Sequence, residues 1–396
     1  MGWNNPPIPW SEHEQRLRGH DKAPPSPPPG DGGDSPAWSA HRHPYQAPEK
    51  KEHEGDGVAY AELHVHSSFS FLDGVSAPEK LVEQAAELGL KGLGLTDHNG
   101  FYGAVRFAEA AAAHQMPTVF GAEITLGTSP PRADSPDPPG AHLLALAKGK
   151  TGYHQLSAAL TQAHLATEEK GTMTADVGVL AEHAQGEWLV LTGCRKGSVR
   201  SPLAPHRMPT KVEQERSEAA LVELVGHFGT DNVVVELFDH QHPLDSAHND
   251  FLASLARRHR LPTVVTGLVH YATAVEAQMA QAMAAVRARS SMDALSSWLP
   301  ASPAGYLRSG SQQLARLPRF GDAIARSAEI ARELSFSLKK VSPGLPTSVC
   351  PEGHTPMSYL RELINEAVPK RYPRASQLVW ERIEKELALI ERKDFA

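Results

Sequence analysis

From Tyr60 to Tyr271 the chain repeats one pattern, a short apolar run followed by a turn and then by a helix-length amphipathic stretch. Seven such runs stand out: "AELHV", "KGLGLTDHN", "TVFGAEITL", "HLLALAK", "EWLVLTG", "NVVVEL" and "PTVVTG". Apolar runs of about four to eight residues alternating with helices predict a largely parallel sheet covered by helices. Seven units over roughly 215 residues suit a closed βα barrel better than an open doubly wound sheet, and such barrels carry their chemistry at the C-terminal strand ends. Between the first two runs, "SAPEKLVEQAAELG" predicts a helix with Ser76 as N-cap, Glu79 as capping-box partner and Gly89 as its stop. Leu81, Val82, Ala85 and Leu88 form its apolar face.

The flanks behave differently. Residues 1–57 hold 11 of the 32 prolines and few aliphatic residues, so they are expected to stay disordered. Beyond about residue 275 the strand pattern stops and helical periodicity takes over in "SQQLARL", "DAIARSAEIARELSF", "PMSYLRELINEAV" and "SQLVWERIEKELALIERKDFA". The last run is still periodic at Ala396, with no cap or closing loop, which reads as a chain that continues elsewhere. Net charge of −7 argues against a nucleic-acid surface spread over the whole chain. Two cysteines, Cys194 and Cys350, exclude a disulfide framework and fit a reducing compartment, the cytoplasm. Neither a signal-peptide core nor an apolar run long enough to span a membrane is present.

The barrel pattern also sorts the histidines. With 21 His in 396 residues, about one His-x-His pair is expected by chance, so spacing proves nothing alone. Residues two apart on a strand share a face, however, and His64 and His66 end the first run. Asp97 and His98 end the second, Glu123 lies late on the third, Cys194 ends the fifth and His270 follows the seventh. His142 begins its run rather than ending it. Imidazole, carboxylate and thiolate converging on one rim predict a transition-metal site, and so many candidates suggest more than one metal, of the kind that activates water and clamps a phosphate. Single residues of these types more often anchor loops. Glu236 reads as an interior barrel residue, His240 and His242 as a solvated pair in a polar loop, and His41 and His43 as part of the tail. A phosphate loop fails because Leu144 stands where its leading glycine belongs, and G-x-S-x-G is absent.

In their order, "HVHSSFSFLDG", "GLTDHN", "GAEI", "HLLALAK", "TGCRKG" and "VVTGLVHY" resemble the polymerase-and-histidinol-phosphatase (PHP) domain, in the version at the N-terminus of bacterial C-family DNA polymerases, the polymerase III alpha subunits. "GWNNPPIPWSE" and "QAMAAVRARSSMDALSSWLP" resemble the error-prone branch found in actinobacteria. The resemblance implies an α/β fold, a distorted (β/α)7 barrel of PHP type followed by a mainly helical segment. It divides the chain into a tail (1–57), the barrel (58–275), a helical connector (276–345) and the start of a polymerase core (346–396). It implies up to three metals, zinc or manganese, on His64, His66, Asp97, His98, Glu123, His142, Cys194 and His270. One position departs from the pattern: Leu268 stands where metal-binding relatives carry an aspartate two residues before the last histidine. The polymerase carboxylates, with their magnesium, would lie beyond this sequence. The function so implied is that of an N-terminal part of an error-prone, translesion DNA polymerase acting in repair and replication. DNA and deoxynucleoside triphosphates would be engaged by the rest of that protein, with the sliding clamp and other mutasome proteins as partners. For this chain alone the implied role is a non-catalytic scaffold; the alternative is a stand-alone metal-dependent phosphoesterase or nuclease.

Overall fold

The computed structural model describes residues 45–48, 57–129, 140–168, 172–295, 298–299, 302–341, 350–393 and 395–396. The chain divides into two compact units, residues 1–340 and 341–396. The pair His41 and His43 and most of the proline-rich segment 1–57 lie outside the described residues.

The first unit is built on a six-stranded mixed sheet with strands β1 (Leu93–Leu95), β2 (Thr118–Thr125), β4 (His142–Ala147), β6 (Trp188–Leu191), β7 (Val233–Leu237) and β8 (Thr263–Val265), in that spatial order. The first apolar run lies at the seam of this curled sheet. It meets β1 through a Glu62–Leu93 bridge and the chain after β8 through a Val65–Val269 bridge, both parallel. The seven runs thus form the distorted barrel that the alternation predicts.

One feature departs from the expected parallel order. β4 runs antiparallel to both β2 and β6, whereas β1/β2, β6/β7 and β7/β8 are parallel. A parallel neighbour needs a long crossover, usually a helix, whereas an antiparallel one can follow a loop. Between β2 and β4 the sequence offers only a proline-rich stretch. The reversal brings the start of β4 to the rim where the other strands end, which is how His142 reaches the same end of the barrel as Glu123. A small antiparallel ribbon of β3 (Gly127–Ser129) and β5 (Met173–Ala175), not foreseen from the sequence, lies beside it.

Helices α1 (Pro78–Glu87), α2 (Ala104–His114), α3 (Gly149–Leu165), α4 (Val177–Ala184), α5 (Lys211–Phe228) and α6 (Asp245–Arg258) follow the strands along the chain. Helix α1 buries Leu81, Val82 and Ala85, and Gly89 follows its end at φ +68° as expected of a stop. Its cap is Ala77, not Ser76. Pro78 at the first position has no N–H to satisfy. The Ser76 hydroxyl instead donates to Glu276 at 3.0 Å and accepts from the Ala272 N–H at 2.7 Å, tying the helix start to the chain beyond β8.

The barrel interior holds Leu63, Val119, Leu144, Leu146, Leu189, Leu191, Val234 and Val264, all buried. Beyond the barrel come α7 (Ala277–Ala288), α8 (Gly310–Arg316) and α9 (Gly321–Leu334). Ile330, Ala331 and Leu334 of α9 join the interior cluster. Ser327 Oγ accepts from the Ala61 N–H at 2.9 Å, and Arg326 donates to the Thr263 carbonyl at 3.1 Å. These contacts sit at strand beginnings, so α9 plugs the end of the barrel away from the rim. Each large apolar side chain buried there stabilises the fold by about 2 kcal/mol.

The second unit holds α10 (Pro356–Arg371) and α11 (Gln377–Lys393). Arg361 pairs with Glu384 at 2.8 Å, and Ile364, Val368, Ile383, Leu387 and Ile390 line an apolar groove. Among the described residues no helix is long and apolar enough to cross a membrane.

Candidate metal centre

At the rim, four imidazoles surround one carboxylate. Glu123 Oε1 lies 3.4 Å from His64 Nε2, and Oε2 lies 3.4 Å from His66 Nε2, 3.3 Å from His98 Nδ1 and 3.1 Å from His142 Nδ1. They come from four parts of the sheet: His64 and His66 from the seam, His98 after β1, Glu123 from β2 and His142 from the reversed β4. All five residues are buried.

All four separations exceed a charge-assisted hydrogen bond of about 2.8 Å. They approach the edge of about 3.4 Å between two ligands held tetrahedrally at about 2.1 Å from one cation. His64 Nε2 and Glu123 Oε1 are buried with no hydrogen-bond partner among the described residues. Unsatisfied buried polar atoms are costly, and a cation between them would remove that cost. The donor set of imidazoles, carboxylate and thiol suits a borderline metal. By these observations the residues fit a divalent cation, and three groups converge within ligand reach: His64, His66 and Glu123; His66, Asp73 and His98; and His98, Glu123 and His142.

The electrostatics follow from burial and crowding. Burial opposes protonation of His64, but the Glu236 and Glu123 carboxylates outweigh it and push its pKa up to about 10. Burial and the neighbouring His98 hold His66 well below the usual imidazole range. Burial raises Glu123, yet His142 and His64 outweigh it and leave the carboxylate well below its usual range. Burial, then the Glu123 charge, pushes the Cys194 thiol well up.

The remaining predicted residues take other places. Cys194 Sγ sits 3.3 Å from His142 Nδ1 and packs with Phe238 and Leu268. His270 Nε2 is 3.5 Å from Asp73 Oδ2, and its ring lies 5.0 Å from that of His66. The Asp97 carboxylate accepts from the Ser67 N–H at 2.7 Å, the Ser67 hydroxyl at 2.8 Å and the Ser70 hydroxyl at 2.7 Å. It therefore anchors the 67–70 loop, and no ligand group among the described residues includes it.

Asp73 is a residue the sequence reading missed. Its Oδ2 lies 2.9 Å from His98 Nε2. Its only sequence signal is its place in the same "HVHSSFSFLDG" run as the histidine pair. His240 corrects the expectation of a solvated loop histidine: it is half-buried, and its Nε2 donates to the Gly267 carbonyl at 2.8 Å. His242 is half-buried too. Glu236 is fully buried, as expected, and accepts from His64 Nδ1 at 2.8 Å. A cleft of about 510 Å³ opens at the cluster, lined by His66, Asp73, Glu123, Arg195 and Lys196 and also by Ala277, Ala280 and Ala284 of α7.

Residues 62–240 match the family described as PHP domain. The chain carries a PHP domain. Over its whole length it is also similar to proteins named error-prone DNA polymerase. The one from Nocardia farcinica is 42% identical over 98% of this chain and 37% of its own length. Those from Cutibacterium acnes and Mycobacterium bovis are each 45% identical over 100% of this chain, and 34% and 36% of their own lengths. The chain thus spans about a third of these relatives. All the buried residues around Glu123 fall inside the PHP match, whereas Leu268 and His270 lie past it.

Proposed function

We propose that the chain is the N-terminal part of an error-prone, translesion DNA polymerase of DNA repair and replication, and that its PHP domain is a metal-braced scaffold without catalysis of its own. The observation that carries this reading is similarity to error-prone DNA polymerases along the entire chain, at 42–45% identity. Nucleotide addition, with its magnesium, DNA and deoxynucleoside triphosphates, would belong to the other two thirds of such a protein. So would contacts with a sliding clamp and other mutasome proteins, in the cytoplasm. Residues 58–275 are the barrel, 276–345 the connector and 346–396 the start of the polymerase core under this reading.

Zinc or manganese is the metal proposed for the PHP cluster, with His64, His66, Asp73, His98, Glu123 and His142 nearest to it and Cys194 and His270 at its margin. A bound metal would add folding free energy, because the ligands are brought together only in the native state. Leu268 faces Cys194 and Phe238 with an apolar side chain, which supports bracing over hydrolysis. The test is elemental analysis of the purified chain beside His66→Ala. Two or three equivalents of metal, reduced in the variant, with no chelator-sensitive phosphate release from small esters, is the expected result. No metal in either protein would sink the bracing role.

The cleft favours a second reading. Arg195 and Lys196 line it beside the cluster, an arrangement suited to a phosphate ester. Chelator-sensitive release of phosphate or nucleotides by the chain alone would move the assignment to a phosphoesterase or nuclease.

A further inference from the structure

The two ends of the sheet meet at a seam, and one buried carboxylate spans it. Glu62 is completely buried. Its Oε1 accepts from the His64 N–H at 3.0 Å, and its Oε2 accepts from the Gly267 N–H at 2.6 Å and the Tyr60 hydroxyl at 2.6 Å. One side chain therefore holds the strand that bears His64 and His66 and the turn that bears Leu268 and His270. Backbone bonds continue the seam outward: Val269 N–H donates to the His64 carbonyl and His66 N–H to the Val269 carbonyl, each at 2.8 Å. Gly267 has no room for a side chain, because a Cβ there would collide with Glu62 Oε2. Behind the seam, Gln313 of α8 donates to the Tyr60 hydroxyl at 3.0 Å, so the segment after the barrel buttresses the same carboxylate.

We infer that Glu62 is a positioning residue: its carboxylate sets the spacing between the His64–His66 pair and the His270 turn, and so the geometry in which the cluster takes a metal. A carboxylate is required because two backbone N–H groups point at it from opposite sides. A glutamine offers one oxygen and one NH₂, so one of those N–H groups would face another donor. Aspartate is shorter by one methylene and cannot span the same gap. Glu62 touches no cation in this scheme and acts only through its neighbours.

The inference rests on the metal-binding reading, and two measurements separate the fates of the two ideas. In protein stripped with a chelator, imidazole resonances are recorded for wild type, Glu62→Gln and Tyr60→Phe. Glu62→Gln is expected to move the His64, His66 and His270 signals while leaving His114 and His183 in place. Tyr60→Phe, which keeps both backbone bonds, is expected to move them little. Affinity for zinc and for manganese is then measured by competition, and Glu62→Gln is expected to lose on the order of 10-fold or more, as outer-sphere substitutions do. Gly267→Ala probes the clasp from its other side and should give the same pattern, with Glu62→Gln adding little on top of it. Unmoved rings in Glu62→Gln would overturn the positioning role even if wild type bound no metal at all. Shifted rings with unchanged metal affinity would also overturn it and reduce Glu62 to a fold brace. Wild type failing to bind metal while the rings shift would sink the metal reading and leave the positional coupling standing.

Discussion

His64 Nδ1 donates to Glu236 Oε1 across 2.8 Å in the fully buried barrel interior, and Thr266 Oγ1 donates to the same oxygen. This pairing leaves His64 Nε2 directed at Glu123, since one ring nitrogen is already engaged. Carboxylates that hold the far nitrogen of a ligating histidine fix its tautomer and raise its basicity. Glu236→Ala should therefore weaken metal retention about 10- to 100-fold without deleting a ligand. Competition against a chromogenic chelator checks this, and an unchanged affinity in a folded variant would exclude the role.

Glu123 is the hub of the cluster, within 3.1–3.4 Å of four imidazoles, whereas among the described residues His270 approaches one carboxylate, that of Asp73, at 3.5 Å. Glu123→Ala should abolish metal uptake, and His270→Ala should reduce it by one equivalent at most. Stoichiometry by elemental analysis distinguishes them. Equal losses in the two variants would mean that the outer histidine, not the carboxylate, controls occupancy.

Leu268 occupies the left-handed backbone region at φ +46°, a conformation that aspartate and asparagine tolerate better than leucine. The turn would suit an aspartate, while the side chain present packs against Cys194 and Phe238. Leu268→Asp should lower Tm in chelator, because it buries a carboxylate at a position only 6% exposed. With saturating zinc or manganese it should gain more than wild type, by about 3 °C or more in the metal-induced shift. Identical shifts in both proteins would show that position 268 faces no cation.

The barrel and its rim were legible because they depend on periodic signals. Apolar runs alternating with helices mark the strands, and period two places His64 and His66 together. The reversal of β4 left a weaker trace, the lack of a helix between "TVFGAEITL" and "HLLALAK", although it explains how His142 reaches Glu123. Asp73 and His240 were missed because they sit in loops, where no period says which way a side chain points. Asp97 was placed at the rim by its strand end, but Ser67 and Ser70 supply three donors to its carboxylate, and only coordinates reveal such local capture. Ser76 shows the same limit at a helix start: a capping pattern is overridden when a tertiary partner, here Glu276, competes for the hydroxyl.

Asp245 gives the last prediction, on pH. It is buried at the start of α6, where it accepts from both terminal nitrogens of Arg195 at 2.8 and 2.9 Å and from Arg200 at 3.4 Å, and also from the His240 N–H at 2.9 Å. Arg200 in turn stacks 4.0 Å from the Phe238 ring, which packs on Cys194 and Leu268, so the carboxylate underpins one wall of the cluster. Burial raises the Asp245 pKa, but the Arg195 and Arg200 partners outweigh it and leave it below the usual value. A depressed carboxyl contributes stability that is complete above its unfolded pKa of about 3.9 and is lost as pH falls through the folded value. Asp245→Asn should cost about 3 kcal/mol at neutral pH, since it leaves the buried Arg200 without its counter-charge. The difference between wild type and variant should shrink below about pH 4, as protonation removes the same charge from wild type. Denaturant unfolding in chelator at pH 7 and at the lowest pH where both proteins fold measures the gap, and a gap that stays constant would show that the pairing is not what stabilises the wall.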